Sequence, residues 1–254
     1  MTIDVNCDMG ESFGPWRMGA DEQVMPHITS ASIACGAHAG DPTVMRRTVR
    51  LARQAGVAAG AHPGFADLQG FGRREMQADP AEIEDSLIAQ IGALTAIARA
   101  EGTSLQHVKA HGALYNMAAR EPRLASAIAR AVRACDASLI LFGLPQSPIL
   151  EAGRAEGLRV AAEGFADRSY EPDGSLTPRS RPGAVIHDVD RVVERAVRMV
   201  RDGVVLTPDG RAVPLQVQTI CVHGDTPGAA DLVARIAGAL RGAGAAVAPI
   251  GTWL

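Results

Sequence analysis

Short apolar runs alternate with longer stretches of helical periodicity along the whole of this 254-residue chain, and no other feature constrains its fold as tightly. Strands separated by helices run parallel, because a parallel partner needs a crossover long enough to carry a helix. The pattern predicts strands at Thr2–Cys7, Ala31–Gly36, Val57–Ala61, His107–Ala110, Ser138–Phe142, Leu158–Ala162 and Thr219–Val222, with an eighth at Ala245–Pro249. Asp41-Pro42 and Asp79-Pro80 each place an N-cap before a proline at the first helical position, opening helices that Gly56 and Gly102 close. Further helices are expected over Gly112–Arg120, Pro122–Cys135, after Ser147-Pro148, at Val189–Arg201 and at Pro227–Arg241. Thr207-Pro208-Asp209-Gly210 reads as the turn of a small hairpin. No Gly/Ser-rich linker divides the chain, so residues 1–254 read as a single domain. A closed α/β barrel takes about 250 residues, and an open doubly wound sheet is the alternative. Aromatics are only 4% of the chain, so the core must come from Ala, Val, Ile and Leu.

Nearly every expected strand ends in polar side chains beside glycine. The clusters are Asn6-Cys7-Asp8-Met9-Gly10-Glu11, Cys35-Gly36-Ala37-His38, Ala61-His62-Pro63-Gly64, Lys109-Ala110-His111-Gly112 with Tyr115-Asn116, Glu163-Gly164-Phe165-Ala166-Asp167-Arg168 and His223-Gly224-Asp225. In a parallel barrel these ends share one face, where barrel enzymes keep their sites. A single histidine is most often structural, but His38, His62, His111 and His223 stand at equivalent ends and point to a shared site. His27, His107 and His187 fall elsewhere and receive no role.

Asp8 and Glu11 could form an acid–base pair, with Asp8 the better placed and Glu11 alternatively a loop cap. Glu163 follows an apolar strand, where desolvation would suit it to proton transfer, or it pairs with Arg168 or Lys109. Lys109 is the one lysine among 25 basic residues and shares strand parity with His111. An inward lysine demands a carboxylate partner or an anionic substrate. Asp167, Arg168 and Tyr170 open a long loop whose arginines could bind a carboxylate or phosphate. Asn6, Tyr115, Asn116 and Asp225 stand in the same clusters as candidate substrate contacts.

The formal net charge of −3 lacks the basic face that nucleic acid would call for. There is no G-x-x-x-x-G-K-[ST], no G-x-G-x-x-G after a strand, no G-x-S-x-G and no H-E-x-x-H. Hydride transfer and serine hydrolysis recede on these motifs, and metal-assisted or acid–base hydrolysis remains. Cys7, Cys35, Cys135 and Cys221 form no C-x-x-C pair and read as reduced thiols. Without a charged-then-apolar leader or about 18 consecutive apolar residues, the expected location is the cytoplasm, away from membranes.

Several long strings together resemble the lactam-utilisation (LamB/YcsF-type) family: residues 6–14, 34–41, 60–65, 108–116, 163–170 and 221–225. The resemblance implies an irregular (β/α) barrel of seven or eight parallel strands, similar to the polysaccharide deacetylase barrels. The family is similar to the A subunit of bacterial ATP-dependent 5-oxoprolinase. That implies ring opening of 5-oxo-L-proline (pyroglutamate) to L-glutamate, coupled to cleavage of ATP to ADP and phosphate, with partner subunits B and C. ATP would then reach this chain through the complex. Asp8, Glu163 and the histidines would serve as bases, and Lys109 or Arg168 would hold a carboxylate or phosphate. Two other readings stay open. One is a standalone metal-dependent amide or polysaccharide deacetylase-type hydrolase, with Asp8, His38, His62 and His223 around a divalent ion. The other is a non-catalytic substrate-binding or scaffold subunit.

Overall fold

The computed structural model describes residues 1–222 and 228–254. Its strands are β1 (Thr2–Met9), β2 (Ser30–Ala34), β3 (Ala58–His62), β4 (Leu105–Val108), β5 (Ile140–Gly143), β6 (Arg159–Phe165), β7 (Val204–Leu206), β8 (Ala212–Pro214), β9 (Thr219–Val222) and β10 (Ala246–Val247). Strands β1 to β6 pair in sequence order, β6 pairs with β9, and β9 returns to β1, every pairing parallel. The result is a closed seven-stranded barrel, not an open sheet. The expected eighth strand is the two-residue β10, which extends the pairing at Thr2 and Ile3 of β1 and is not part of the ring. The hairpin expected around Pro208 is the antiparallel pair β7–β8.

The helices are α1 (Asp21–Val24), α2 (Pro42–Ala55), α3 (Pro80–Ala100), α4 (Gly112–Ala118), α5 (Pro122–Cys135), α6 (Pro148–Ala155), α7 (Val189–Asp202) and α8 (Ala229–Gly242). The Asp41 carboxylate caps α2 by accepting from the N–H groups of Thr43 (2.8 Å) and Val44 (3.0 Å). Helix α5 shows how the outer layer is held. It buries Leu124, Ile128 and Val132 on one face, and its buried alanines let α3 approach closely. Each large apolar side chain taken from water contributes about 1.5–3 kcal/mol. No described helix is long and apolar enough to cross a membrane. All four cysteines are free thiols.

Alternation along β1 sorts its residues onto two faces. Ile3, Val5, Cys7 and Met9 join the main apolar core. Asp4, Asn6 and Asp8 point the other way, and Asn6 and Asp8 meet Lys109 from beyond β4, so this face is the barrel interior. At the starts of β5 and β6 the interior is apolar: Ile140, Phe142 and Ala161 pack with Ile250, and Trp253 and Leu254 rest against this group. Arg159, at the start of β6, donates to the Leu254 carbonyl there (3.1 Å). Toward the carboxyl ends the interior is filled by polar and charged groups.

Candidate active site at the barrel mouth

Lys109 lies one residue beyond β4, yet its N–H still donates to the Ala61 carbonyl (2.9 Å), continuing the β3–β4 ladder. Its Nζ lies 2.8 Å from Asp8 Oδ1, 2.9 Å from Glu163 Oε1, 3.2 Å from Asn6 Oδ1 and 3.0 Å from Cys221 Sγ. Burial works to discharge this ammonium. Asp8, then Cys221 and Glu163, outweigh burial and hold it charged well above the ordinary lysine value. The two carboxylates are not equivalent. The Asp8 side chain is 10% exposed and Glu163 is 0% exposed, so Asp8 is the one a substrate can meet.

Asn6 ties this group to the strands. Its Nδ2 donates to Glu163 Oε1 (2.9 Å) and Thr219 Oγ1 (2.8 Å), which leaves its Oδ1 to accept from Lys109. Thr219 points its hydroxyl proton toward Asp4 Oδ2 (2.5 Å), and Asp4 also accepts from Thr29 (2.7 Å) and Ser30 (2.6 Å). Complete burial pushes the Asp4 carboxyl up to about 6, against the lowering effect of those three hydroxyls. His107 stacks on Phe142 with ring centroids 4.3 Å apart, and its Nε2 is 3.2 Å from Ser32 Oγ. Burial pushes His107 down to about 3, so it is neutral. Its ring occupies the space over Gly60, where a Cβ would lie 2.2 Å from Nε2. Asp4, His107, Ser32 and Thr219 were not singled out from the sequence. For Asp4 and His107 the signal is parity, since Asp4-Asn6-Asp8 and His107-Lys109 each occupy every second position.

Above Lys109 the chain turns out of β1 at Gly10 (φ +70°), where a Cβ would also press on Thr48 and Ile33. The Gly10 N–H donates to Asp21 Oδ2 (3.0 Å), and the Gly14 N–H donates to Asp41 Oδ2 (2.8 Å). These anchors set Glu11 across the mouth, with its Oε1 3.6 Å from His38 Nε2 and 3.7 Å from His111 Nδ1. His62 Nε2 lies 3.4 Å from Asp8 Oδ2 and 2.9 Å from His111 Nδ1. His38 stacks flat on His111, centroids 3.7 Å apart. Burial pushes both His38 and His111 well below the ordinary imidazole value. His62 Nδ1 is 2.8 Å from the Lys109 carbonyl, and His111 Nε2 is 2.8 Å from the Phe71 carbonyl. Phe71 has φ 54°, strained for a bulky residue, and that backbone aims its carbonyl at His111. One donor atom from each of Glu11, His38, His62 and His111 lies within 4.8 Å of the others, a set able to hold a metal ion.

The other expected site residues fall into three groups. Tyr115 is buried beside Phe165 (5.7 Å between centroids, edge-on), and burial followed by the Glu163 charge pushes its hydroxyl well up. Asn116, one residue along α4, is exposed and donates to the Gly112 carbonyl of its own helix (3.1 Å). The loop after β6 is knitted to itself. Arg168 donates to the carbonyls of Ala184 (3.2 Å) and Thr177 (2.7 Å), Asp167 accepts through its own carbonyl from Ile186 (2.8 Å), and the Tyr170 hydroxyl accepts from the Phe165 N–H (2.8 Å). These donors and acceptors brace the loop instead of joining the Lys109 group. His223 and Asp225 lie outside the described residues. Burial pushes the Cys221 thiol well above its ordinary value, which disfavours a thiolate nucleophile despite its nearness to Lys109.

The LamB/YcsF family pattern matches residues 3–254. The chain belongs to the LamB/YcsF family. This LamB/YcsF chain is 56% identical over 247 residues to the 5-oxoprolinase A subunit of Chloroflexus aggregans, a match covering 97% of the chain and 98% of that protein. The crystal structure of the lactam utilization protein from Thermus thermophilus superposes with a TM-score of 0.92 at 46% identity, covering 98% of this chain and 99% of that one. A T48 deacetylase aligns over 98% of the chain at 12% identity and a TM-score of 0.49, too distant to bear on chemistry.

Proposed function

We propose that this chain is the A subunit of an ATP-dependent 5-oxoprolinase and carries the site at which the lactam ring is opened. The observation that carries the reading is the partly accessible Asp8 carboxylate, held 2.8 Å from the Lys109 ammonium at the mouth of a closed barrel. The relatives named as the A subunit of 5-oxoprolinase supply the substrate.

A five-membered lactam is an unstrained amide, and water attacks it slowly. ATP would supply a phosphoryl group to the lactam oxygen and so make the ring carbon electrophilic. The chain carries none of the phosphate-cradling motifs, so nucleotide handling falls to partner subunits B and C. Asp8 accepts a proton from the attacking water as the new C–O bond forms. Lys109 holds the Asp8 carboxylate in place, and Asn6 keeps Lys109 between its two carboxylates. As the adduct collapses the C–N bond breaks, the ring nitrogen takes up the proton held by Asp8 to become the amine of glutamate, and a second water hydrolyses the acyl phosphate that remains, releasing the side-chain carboxylate and inorganic phosphate. The cytoplasm, where reduced thiols persist, is the compartment that suits four free cysteines.

The test is glutamate release from 5-oxo-L-proline plus ATP, with the chain alone and then mixed with its partner subunits. Activity is expected only in the mixture, and Asp8→Asn should lower its kcat by roughly 10²–10⁴-fold. ATP-independent amide or acetyl-sugar hydrolysis by the chain alone would instead establish the standalone hydrolase. An Asp8→Asn mixture with normal activity would establish the scaffold.

A further inference from the structure

Two backbone carbonyls dictate which nitrogens of His62 and His111 carry protons. A carbonyl oxygen only accepts, so His62 Nδ1, facing the Lys109 carbonyl, and His111 Nε2, facing the Phe71 carbonyl, are the N–H donors. The remaining nitrogens, His62 Nε2 and His111 Nδ1, are then the ones whose lone pairs can be given to a cation. These two lie 2.9 Å apart. Two lone pairs at that separation repel, and both rings are buried away from water. Glu11 Oε1, 3.7 Å from His111 Nδ1, brings a carboxylate oxygen to the same place. Such a meeting of acceptors calls for a cation between them, either a proton or a metal ion.

We propose that His62 Nε2, His111 Nδ1 and Glu11 Oε1 bind one divalent transition-metal ion of the zinc class. Ligands about 2.0–2.1 Å from a tetrahedral zinc stand roughly 3.3 Å from one another. The observed separations of 2.9 and 3.7 Å bracket that edge. Imidazole with carboxylate suits zinc, cobalt or manganese better than calcium. Histidines that ligate a metal donate their second N–H to a carbonyl or carboxylate, which both rings do here. His38 belongs to the cluster, but its ring plane is parallel to that of His111 within 1°, so its lone pairs do not converge on the same centre. It is left out of the ligand set. Three protein ligands leave a position for water or a substrate oxygen, the composition of a catalytic rather than a structural site. Donor geometry alone carries the metal assignment, independently of the ring-opening reaction.

The experiment uses the full chain purified without chelator, equilibrated with Zn²⁺ or Co²⁺, desalted, and assayed for bound metal by elemental analysis. The wild type is expected to retain about one equivalent, as a catalytic three-ligand site does. His111→Ala and Glu11→Gln should each weaken retention at least tenfold, while the exposed His187→Ala keeps it. The Co²⁺ form should show visible ligand-field bands that His111→Ala lacks, with circular dichroism confirming that each variant is folded. Wild-type protein that retains neither metal would overturn the proposal. So would ¹⁵N-histidine spectra that show a proton shared by His62 Nε2 and His111 Nδ1 in the presence of saturating Zn²⁺. Both readouts use the unmutated chain, so they decide the matter even where a variant fails to fold.

Discussion

Replacing Lys109 by methionine keeps most of the side-chain volume and removes the charge that separates Asp8 from Glu163. Glu163 is fully buried and Asp8 nearly so, and both lie within 2.9 Å of the ammonium that would be lost. Deleting one partner of a buried ion pair costs about 3–5 kcal/mol, because the remaining charge is left without compensation. A chain of this length loses about 2–4 °C of Tm per kcal/mol, so Lys109→Met should melt roughly 10 °C below the wild type. A second change, Glu163→Gln, removes one of the stranded charges and should return part of the loss at neutral pH. Urea unfolding of the wild type, the single variants and the double variant measures all of this. A loss below about 1 kcal/mol for Lys109→Met, or a double variant whose losses simply add, would refute the reasoning that Lys109 is the counter-charge of the barrel interior.

Gly60→Ala should destabilise the protein by about 1–3 kcal/mol through overpacking against the His107 ring, and adding His107→Ala should relieve the clash; unfolding of the pair measures the coupling. Asp4, with a folded value of about 6 against 3.8, contributes stability that is fully present below about pH 4 and is lost as pH rises through 6. Asp4→Asn should therefore flatten the decline between pH 4 and 7.5 by about 3 kcal/mol, read from denaturant midpoints across that range. Asn116→Ala, on the exposed side of α4, should leave the activity of the assembled complex within about twofold, because a surface substitution typically moves stability by no more than about ±0.5 kcal/mol.

The strand and helix order was legible because each element carries its own period; the Asp-Pro starts match the N-caps of α2 and α3, Gly56 caps the end of α2, and Gly102 follows the Glu101 cap of α3 with φ +72°. Strand ends were less so. Ala31–Gly36 stops at Ala34 because Gly36 takes φ +91°, and β6 runs on to Phe165 because its register with β9 continues to Cys221. Reading polar clusters at strand ends brought Asp8, His38, His62, Lys109, His111 and Glu163 together. It passed over Asp4 and His107, since a polar residue inside an apolar run looks like an interruption until its parity is followed. Helical phase separates Tyr115 from Asn116: neighbours on a helix point about 100° apart, so one is buried and the other faces water. Arg168 illustrates what spacing does not encode. A loop held by only isolated bridges leaves carbonyls to satisfy, and its guanidinium serves those of Ala184 and Thr177.

The seam between β1 and β9 joins Asp4 to Thr219, 215 positions apart. As the polypeptide leaves the ribosome, β1 emerges first and its β9 partner Thr219 emerges nearly last. Until Thr219 is made the β1–β9 seam cannot close, and the Asp4 carboxylate lacks one of the three hydroxyls it accepts from in the finished barrel. Closure of the ring and completion of its deepest polar group are therefore one event, joining the two ends of the polypeptide.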